Sequence, residues 1–216
     1  MATRTSTRTS KRPSVRPRKK PVQKRSQVTV DAIVEAAARV FVREGYASAT
    51  TNRIAELAGV SVGSLYEYFP NKASLLAALI ARQVETMTTL MRERLAAVQG
   101  GPLPEIVGTI ARAVIEAHYQ NLELNRLLIA GTQRVAHWRH IEEVSFVLAD
   151  LIRDALAHLI DDPVRLEHAA FTVETVVEAL LQRAILFAHR LPGYRLEEEI
   201  AGVLMGYLEP IVNVRA

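Results

Sequence analysis

At 216 residues, with 49% hydrophobic and 23% charged residues, the chain has the balance of an ordinary globular protein of one large or two small domains. It has no cysteine, which excludes disulfide frameworks, thiolate metal sites and cysteine nucleophiles and fits a reducing cytoplasm. The formal net charge of +4 is unevenly spread: ten lysines and arginines and no acid lie in residues 1–27, so the rest of the chain carries a net −6.

Residues 1–27 are rich in Thr, Ser, Pro, Arg and Lys and lack apolar periodicity, so they read as a disordered basic tail. Its charge is equally compatible with a solvated extension and with an arm that lies along a polyanion. Pro13, Pro17 and Pro21 oppose the amphipathic helix of a transit peptide. Asp31, Glu35 and Arg39 interrupt the apolar run that follows, so it is no signal sequence. No run of 18 apolar residues exists to span a membrane.

From Val28 to Glu44 the residues Ile33, Ala36, Ala37, Val40 and Phe41 recur at helical spacing, with Thr29 as N-cap and Gly45 as terminator. Two short helices follow over 51–58 and 62–69. Asn71 is placed to cap a long helix that runs to about Val98, where Gly100, Gly101 and Pro102 stop it. At ~1.5 Å per residue that helix reaches about 40 Å, enough to join two domains. Further helices are expected over 103–120, 122–131, 137–160, 164–191 and 195–214, broken at Gly131, Asp161-Asp162-Pro163 and Pro192-Gly193. No segment alternates with period two. The fold class is all-α, with about nine helices.

The last two helices are apolar on more than one side. A stripe wider than one packing contact needs a second partner, and Gly202 and Gly206, four apart, permit close approach. The expectation is a four-helix interface between two subunits formed by Val173, Val177, Leu180, Leu181, Ala184, Ile200, Val203, Leu204 and Tyr207. The alternative is that these residues are simply the core of the second domain.

The stretch "TTNRIAELAGVSVGSLYEYFPNK", residues 50–72, carries the chemistry. Ile54, Leu57 and Ala58 are expected to face inward while Thr51 caps the start. Gly59 supplies the sharp turn, and Ser61 caps the second helix, whose Leu65 and Phe69 point to the core. Two helices joined by a short glycine-containing turn form a helix-turn-helix. Val62, Gly63, Ser64, Tyr66, Glu67 and Tyr68 are left facing outward with little charge, which suits the N-terminal end of a helix in a major groove. Gly63 lets the backbone approach, Ser64 can bond a base edge, Val62 can touch a thymine methyl, and the Tyr66 and Tyr68 hydroxyls suit phosphate oxygens. Lys72, at the start of the long helix, and Thr51 are each placed to hold a phosphate.

With "AARVFVREGYASA" before it, this stretch closely resembles the N-terminal DNA-binding domain of the TetR family of bacterial transcriptional regulators, over about residues 28–80. The resemblance implies a helix-turn-helix domain at 28–74 and a helical effector-binding and dimerisation domain at 75–216. It assigns DNA contacts to Thr51, Val62, Gly63, Ser64, Tyr66, Tyr68 and Lys72. It also implies a homodimeric, cytoplasmic bacterial protein, associated with the nucleoid when bound: a repressor released from a palindromic double-stranded operator by an apolar small molecule. An effector pocket among the middle helices would draw on Met87, Met91, Tyr119, Trp138, Phe146, Phe171 and Glu174, although such a set at helical spacing also describes a core. The rival readings are a DNA-binding scaffold without ligand response and a helical protein-interaction module.

His137, His140 and Glu143 share a helical face, but without a further ligand they predict no metal site. His118, His158, His168 and His189 are expected at the surface or an interface. No nucleophile–base pair and no glycine-rich phosphate loop is present, so neither catalytic residues nor a cofactor is expected, only the effector.

Overall fold

The computed structural model describes residues 24–132, 138–187 and 193–212, with the side chains of 24–25 and 130–145 left aside. The described residues form nine helices and no strand: α1 Lys24–Ser48, α2 Thr51–Ala58, α3 Val62–Tyr68, α4 Lys72–Ala96, α5 Leu103–Tyr119, α6 Leu122–Thr132, α7 Trp138–Leu156, α8 Pro163–Phe187 and α9 Leu196–Val212. None is long and apolar enough to cross a membrane.

α1 begins four residues ahead of the expected position, so Thr29 lies inside the helix and does not cap it. The four added residues contain neither glycine nor proline, and the Gln27 amide donates to Asp31 at 3.3 Å, one turn on. The rest of the basic tail lies outside the described residues. Gly45 ends the regular part of α1 with φ +75°, a conformation costly for residues with a Cβ, and Ala49 N–H closes a turn onto its carbonyl at 3.1 Å.

α7 stops at Leu156, four residues short of the expected end, because the Leu159 and Ile160 amides both turn back onto the Leu156 carbonyl. Asp162 then caps α8 by accepting from the Val164 amide at 2.9 Å, and Pro163 takes the first helical position.

Two hydrophobic cores form. The head core gathers Ile33, Ala37, Val40 and Phe41 of α1, Ile54 and Ala55 of α2, Leu65 and Phe69, and Leu75, Leu76 and Leu79 of α4. It also takes in Leu124 and Leu128 of α6. The body core gathers Met87, Met91 and Leu95 of α4 with α5, α7, α8 and α9. α4 therefore belongs to both cores, and α6 is pinned between them: its Arg126 donates to the Ile185 carbonyl of α8 at 3.2 Å.

Five of the nine residues expected at a subunit interface lie inside this second core, and a sixth, Ala184, is also buried. Val173, Val177, Leu181, Ala184, Ile200 and Leu204 are buried within the protomer, because α8 turns that stripe onto α7 and α9 packs its own against α5. In the single chain they fill the interior, as the alternative reading has it. Leu180 and Tyr207 are half-buried, and Val203 is exposed. His118 is likewise interior, its Nδ1 3.0 Å from the Val114 carbonyl, whereas His158 and His168 are exposed as expected. His189 and the side chains of His137, His140 and Glu143 lie outside the described residues.

If α6 is integral to the head, Leu128→Ala should cost about 2–5 kcal/mol, as emptying a buried leucine site does. Urea unfolding measures it; a loss below about 1 kcal/mol would mean that α6 merely abuts the head.

Candidate nucleic-acid interface

The geometry of α2 and α3 is set by local caps. Thr50, extended at φ −116°, accepts from the Arg53 amide at 3.2 Å. The cap is thus Thr50 and not Thr51, which becomes the first helical residue and keeps its hydroxyl for other use. Gly59 ends α2 at φ +68°, and its own amide and that of Val60 return to Glu56 and Ala55. Ser61 then caps α3, accepting from the Ser64 amide at 3.0 Å. Leu65 and Phe69 seat α3 on the head core.

The outward side of α3 presents Val62 (37% exposed), Gly63, Tyr66 (41% exposed) and Glu67. A Cβ built on Gly63 would meet only the Ser61 hydroxyl, at 3.7 Å, so the backbone there is open to an approaching surface. The Ser64 hydroxyl sits 2.8 Å from that of Ser61, which orients it at the helix start. Tyr68 departs from expectation: it is half-buried and packs against the head core, because it falls one turn after the buried Leu65 and directly before the buried Phe69. Leu57, expected inside, is exposed, since an eight-residue helix turns little more than one face inward and Ile54 and Ala55 occupy it.

Thr51 and Tyr66 are brought together. Their hydroxyls lie 3.0 Å apart, joining the start of α2 to the middle of α3. The pair forms one polar edge beside the first-turn amides of α2, a place where the helix dipole favours an anion. Lys72 is not part of that edge. Its Nζ donates to the carbonyls of Ala47 (3.0 Å) and Ala49 (2.9 Å) and lies 4.7 Å from the centre of the Tyr46 ring. Burial pushes the Tyr46 phenol above its ordinary pKa. Sequence reasoning missed Thr50 and Tyr46. The Thr-Thr pair held the signal for the first, and an aromatic one residue past Gly45 for the second.

The effector candidates stand in different surroundings. Met87 and Met91 are core residues of the body, and Glu174 is buried on α8. Tyr119, Phe146 (63% exposed) and Phe171 (57% exposed) are exposed in the protomer. The Trp138 side chain lies outside the described residues. A groove of about 440 Å³ opens between α1, α4 and the start of α6, lined by Glu35, Arg39, Val42, Arg82 and Gln83 among others, and includes none of the candidates.

Against known proteins, the family model described as bacterial regulatory proteins, tetR family, matches residues 33–79. A second, tetracyclin repressor-like C-terminal domain, matches residues 102–208. The HTH-type transcriptional regulator TtgR of Pseudomonas putida is 47% identical over 66 residues, 31% of each chain. The chain therefore matches less than a third of that relative's length. Among solved structures, SmeT, the repressor of the Stenotrophomonas maltophilia multidrug efflux pump SmeDEF, aligns with TM-score 0.63 and 19% identity. That match covers 84% of this chain and 91% of SmeT. The multidrug binding protein EbrR, complexed with imidazole, aligns with TM-score 0.64 and 22% identity over 85% of this chain and 94% of its own. At these identities the likeness is one of fold.

The Ser61 cap is what starts α3, so Ser61→Ala should lower stability by about 1 kcal/mol in chemical denaturation. No measurable loss would show that packing of Leu65 and Phe69 alone holds the helix.

Proposed function

The chain belongs to the TetR family of bacterial regulatory proteins, and from that premise we propose that it binds double-stranded operator DNA as a homodimer and represses transcription until a small apolar molecule releases it. The observation that carries the DNA-binding part is the outward side of α3, where Val62, Gly63 and Tyr66 are exposed on a helix whose only charged residue is Glu67. Such a surface gains little from water and much from base edges. α3 enters the major groove by its N-terminal end, while the Thr51–Tyr66 hydroxyl pair and the α2 amides fix register on a phosphate.

Dimerisation uses the outer side of α8 and α9 rather than the residues that fill the core. Phe187 and Val203 are exposed there, Leu180 and Tyr207 partly so, and nothing lies within 4 Å of where a Cβ would stand on Gly202 or Gly206. An apolar, close-approach surface of this kind fits an identical copy. Two α3 helices about 34–36 Å apart then match successive turns of a two-fold operator. Ligand response is supported by family membership and by the multidrug binding of EbrR. The coupling route would be α4, shared by both cores, and α6, held by Leu124 and Leu128 to the head and by Arg126 to α8.

Selection of bound sequences from a random DNA pool tests the reading. An enriched inverted repeat supports it; no enrichment would favour a scaffold that binds without specificity. On the selected site, Gly63→Leu should weaken binding by about a hundredfold or more, comparable to losing two base contacts of ~1–3 kcal/mol each. Its thermal midpoint should not fall, because the position is open and leucine is the better helix former. Deleting residues 1–24, which hold nine of the ten basic tail residues, should reduce affinity far more at low salt than at high salt. A deletion without effect at any salt would remove the tail from the binding account.

A further inference from the structure

The groove between α1, α4 and the start of α6 has a charged rim over an apolar floor, and its charges do not balance. We propose that it is a binding site for small amphipathic carboxylates. The site lies apart from the outward side of α3 and from the body core, and the inference does not depend on the operator reading above.

The floor comes first. The groove holds about 440 Å³, within the roughly 300–1,000 Å³ of clefts that take small molecules. Val42 is 41% exposed in it, and Leu79 and Leu124 turn the edge of the head core toward it. These side chains offer a hydrocarbon body a place out of water.

The rim supplies the charge. Two arginines, Arg39 of α1 and Arg82 of α4, line the groove against one acid, Glu35. The Glu35 carboxylate is divided between them. One oxygen accepts from the Arg39 Nε at 3.2 Å, and the other lies 3.9 Å from the Arg82 Nη1, too far for a hydrogen bond. The Arg82 guanidinium, with five N–H donors, makes no hydrogen bond among the described residues. Both ion pairs are exposed, so they are weak and exchange readily.

This arrangement selects the ligand's chemistry. A planar carboxylate matches a guanidinium fork through two parallel bonds, which a neutral group of the same shape cannot make. A cation would meet surplus positive charge, and a bare inorganic anion would gain nothing from Val42, Leu79 and Leu124. The adjoining cleft along α4 carries Glu85 and Glu93, which directs an acid group to the Arg39–Arg82 end. The walls belong to the joint between the two cores: α1 to the head, α4 to both, and α6 to the head through Leu124. A molecule seated there would touch all three elements at once.

The test is isothermal titration calorimetry of the full chain with naphthoate and with naphthamide, its uncharged counterpart. Naphthoate should bind saturably and at least about tenfold more tightly than the amide, as a charge-assisted pair requires. Arg82→Met should bring naphthoate down to the level of the amide. Glu35→Gln, which removes the competing acid, should tighten naphthoate by about threefold or more. Val42→Trp, which fills the floor from an exposed position, should weaken naphthoate by roughly tenfold while the thermal midpoint stays near that of the wild type. Should Arg82→Met not fold, Glu35→Gln and Val42→Trp decide the matter. The proposal is overturned if the wild-type chain shows no saturable binding of naphthoate at low millimolar concentration, or if naphthoate and naphthamide bind alike. It is overturned equally if naphthoate binding is unchanged in any of the three variants, which would place the ligand elsewhere on the chain.

Discussion

Everything in this fold hangs on α4 being unbroken. Its first turns contribute Leu75, Leu76 and Leu79 to the head core, and its later turns contribute Met87, Met91 and Leu95 to the body core. A 25-residue helix is a stiff rod of about 37 Å, so the tilt of the head on the body is fixed by whatever fixes its ends. The N-terminal end is fixed twice over. Asn71 and Ser74 form a reciprocal capping box, and Lys72 ties the same turn to the end of α1. The C-terminal end is closed by Gly100, at φ +78°, before α5 runs back along α4.

α6 converts this rod into a triangulated joint. A single helix between two cores permits rotation about its axis, and a second attachment removes that freedom. Leu124 and Leu128 enter the head core, while the Arg126 guanidinium holds the last turns of α8. A change of packing in the body that shifts α8 must therefore shift α6, and α6 cannot move without disturbing the wall behind α1. On the proposed reading, this is how occupancy in the body would alter the separation of two recognition helices.

The parts legible in the sequence were those governed by local chemistry. Gly59, Ser61 and Asn71 each specify a turn or cap within four residues, and all three perform the expected task in the structure. The spacing of Leu65 and Phe69 likewise identified the inward side of α3. What could not be read depends on choice between near-equivalent neighbours or on distant contacts. Thr50 and Thr51 are chemically identical, and only the extended backbone of the first makes it the cap. Lys72 lies near nothing suggestive in sequence, since its carbonyl partners stand more than twenty residues earlier. α8 and α9 carry apolar residues around most of their circumference, so periodicity names no unique inward side. Packing against α7 and α5 decided it, burying Val173, Val177 and Leu181 and leaving Phe171 and Val203 out.

Charge places the last constraint on the proposed reading. Affinity for a duplex is dominated by cations that displace counterions, yet residues 28–74 contain four basic against five acidic residues. The three arginines among them are moreover paired with acids. Arg39 pairs with Glu35, Arg43 with Glu44, and Arg53 with Glu56 and Glu44, while Lys72 holds carbonyls. A head of net −1 that offers hydroxyls and an uncharged helix face is equipped to discriminate sequence and poorly equipped to attract a polyanion. On the proposed reading, the ten basic residues of 1–27, the last two of them within α1, would supply the missing cations. On that reading, α3 would then supply specificity and the basic tail strength.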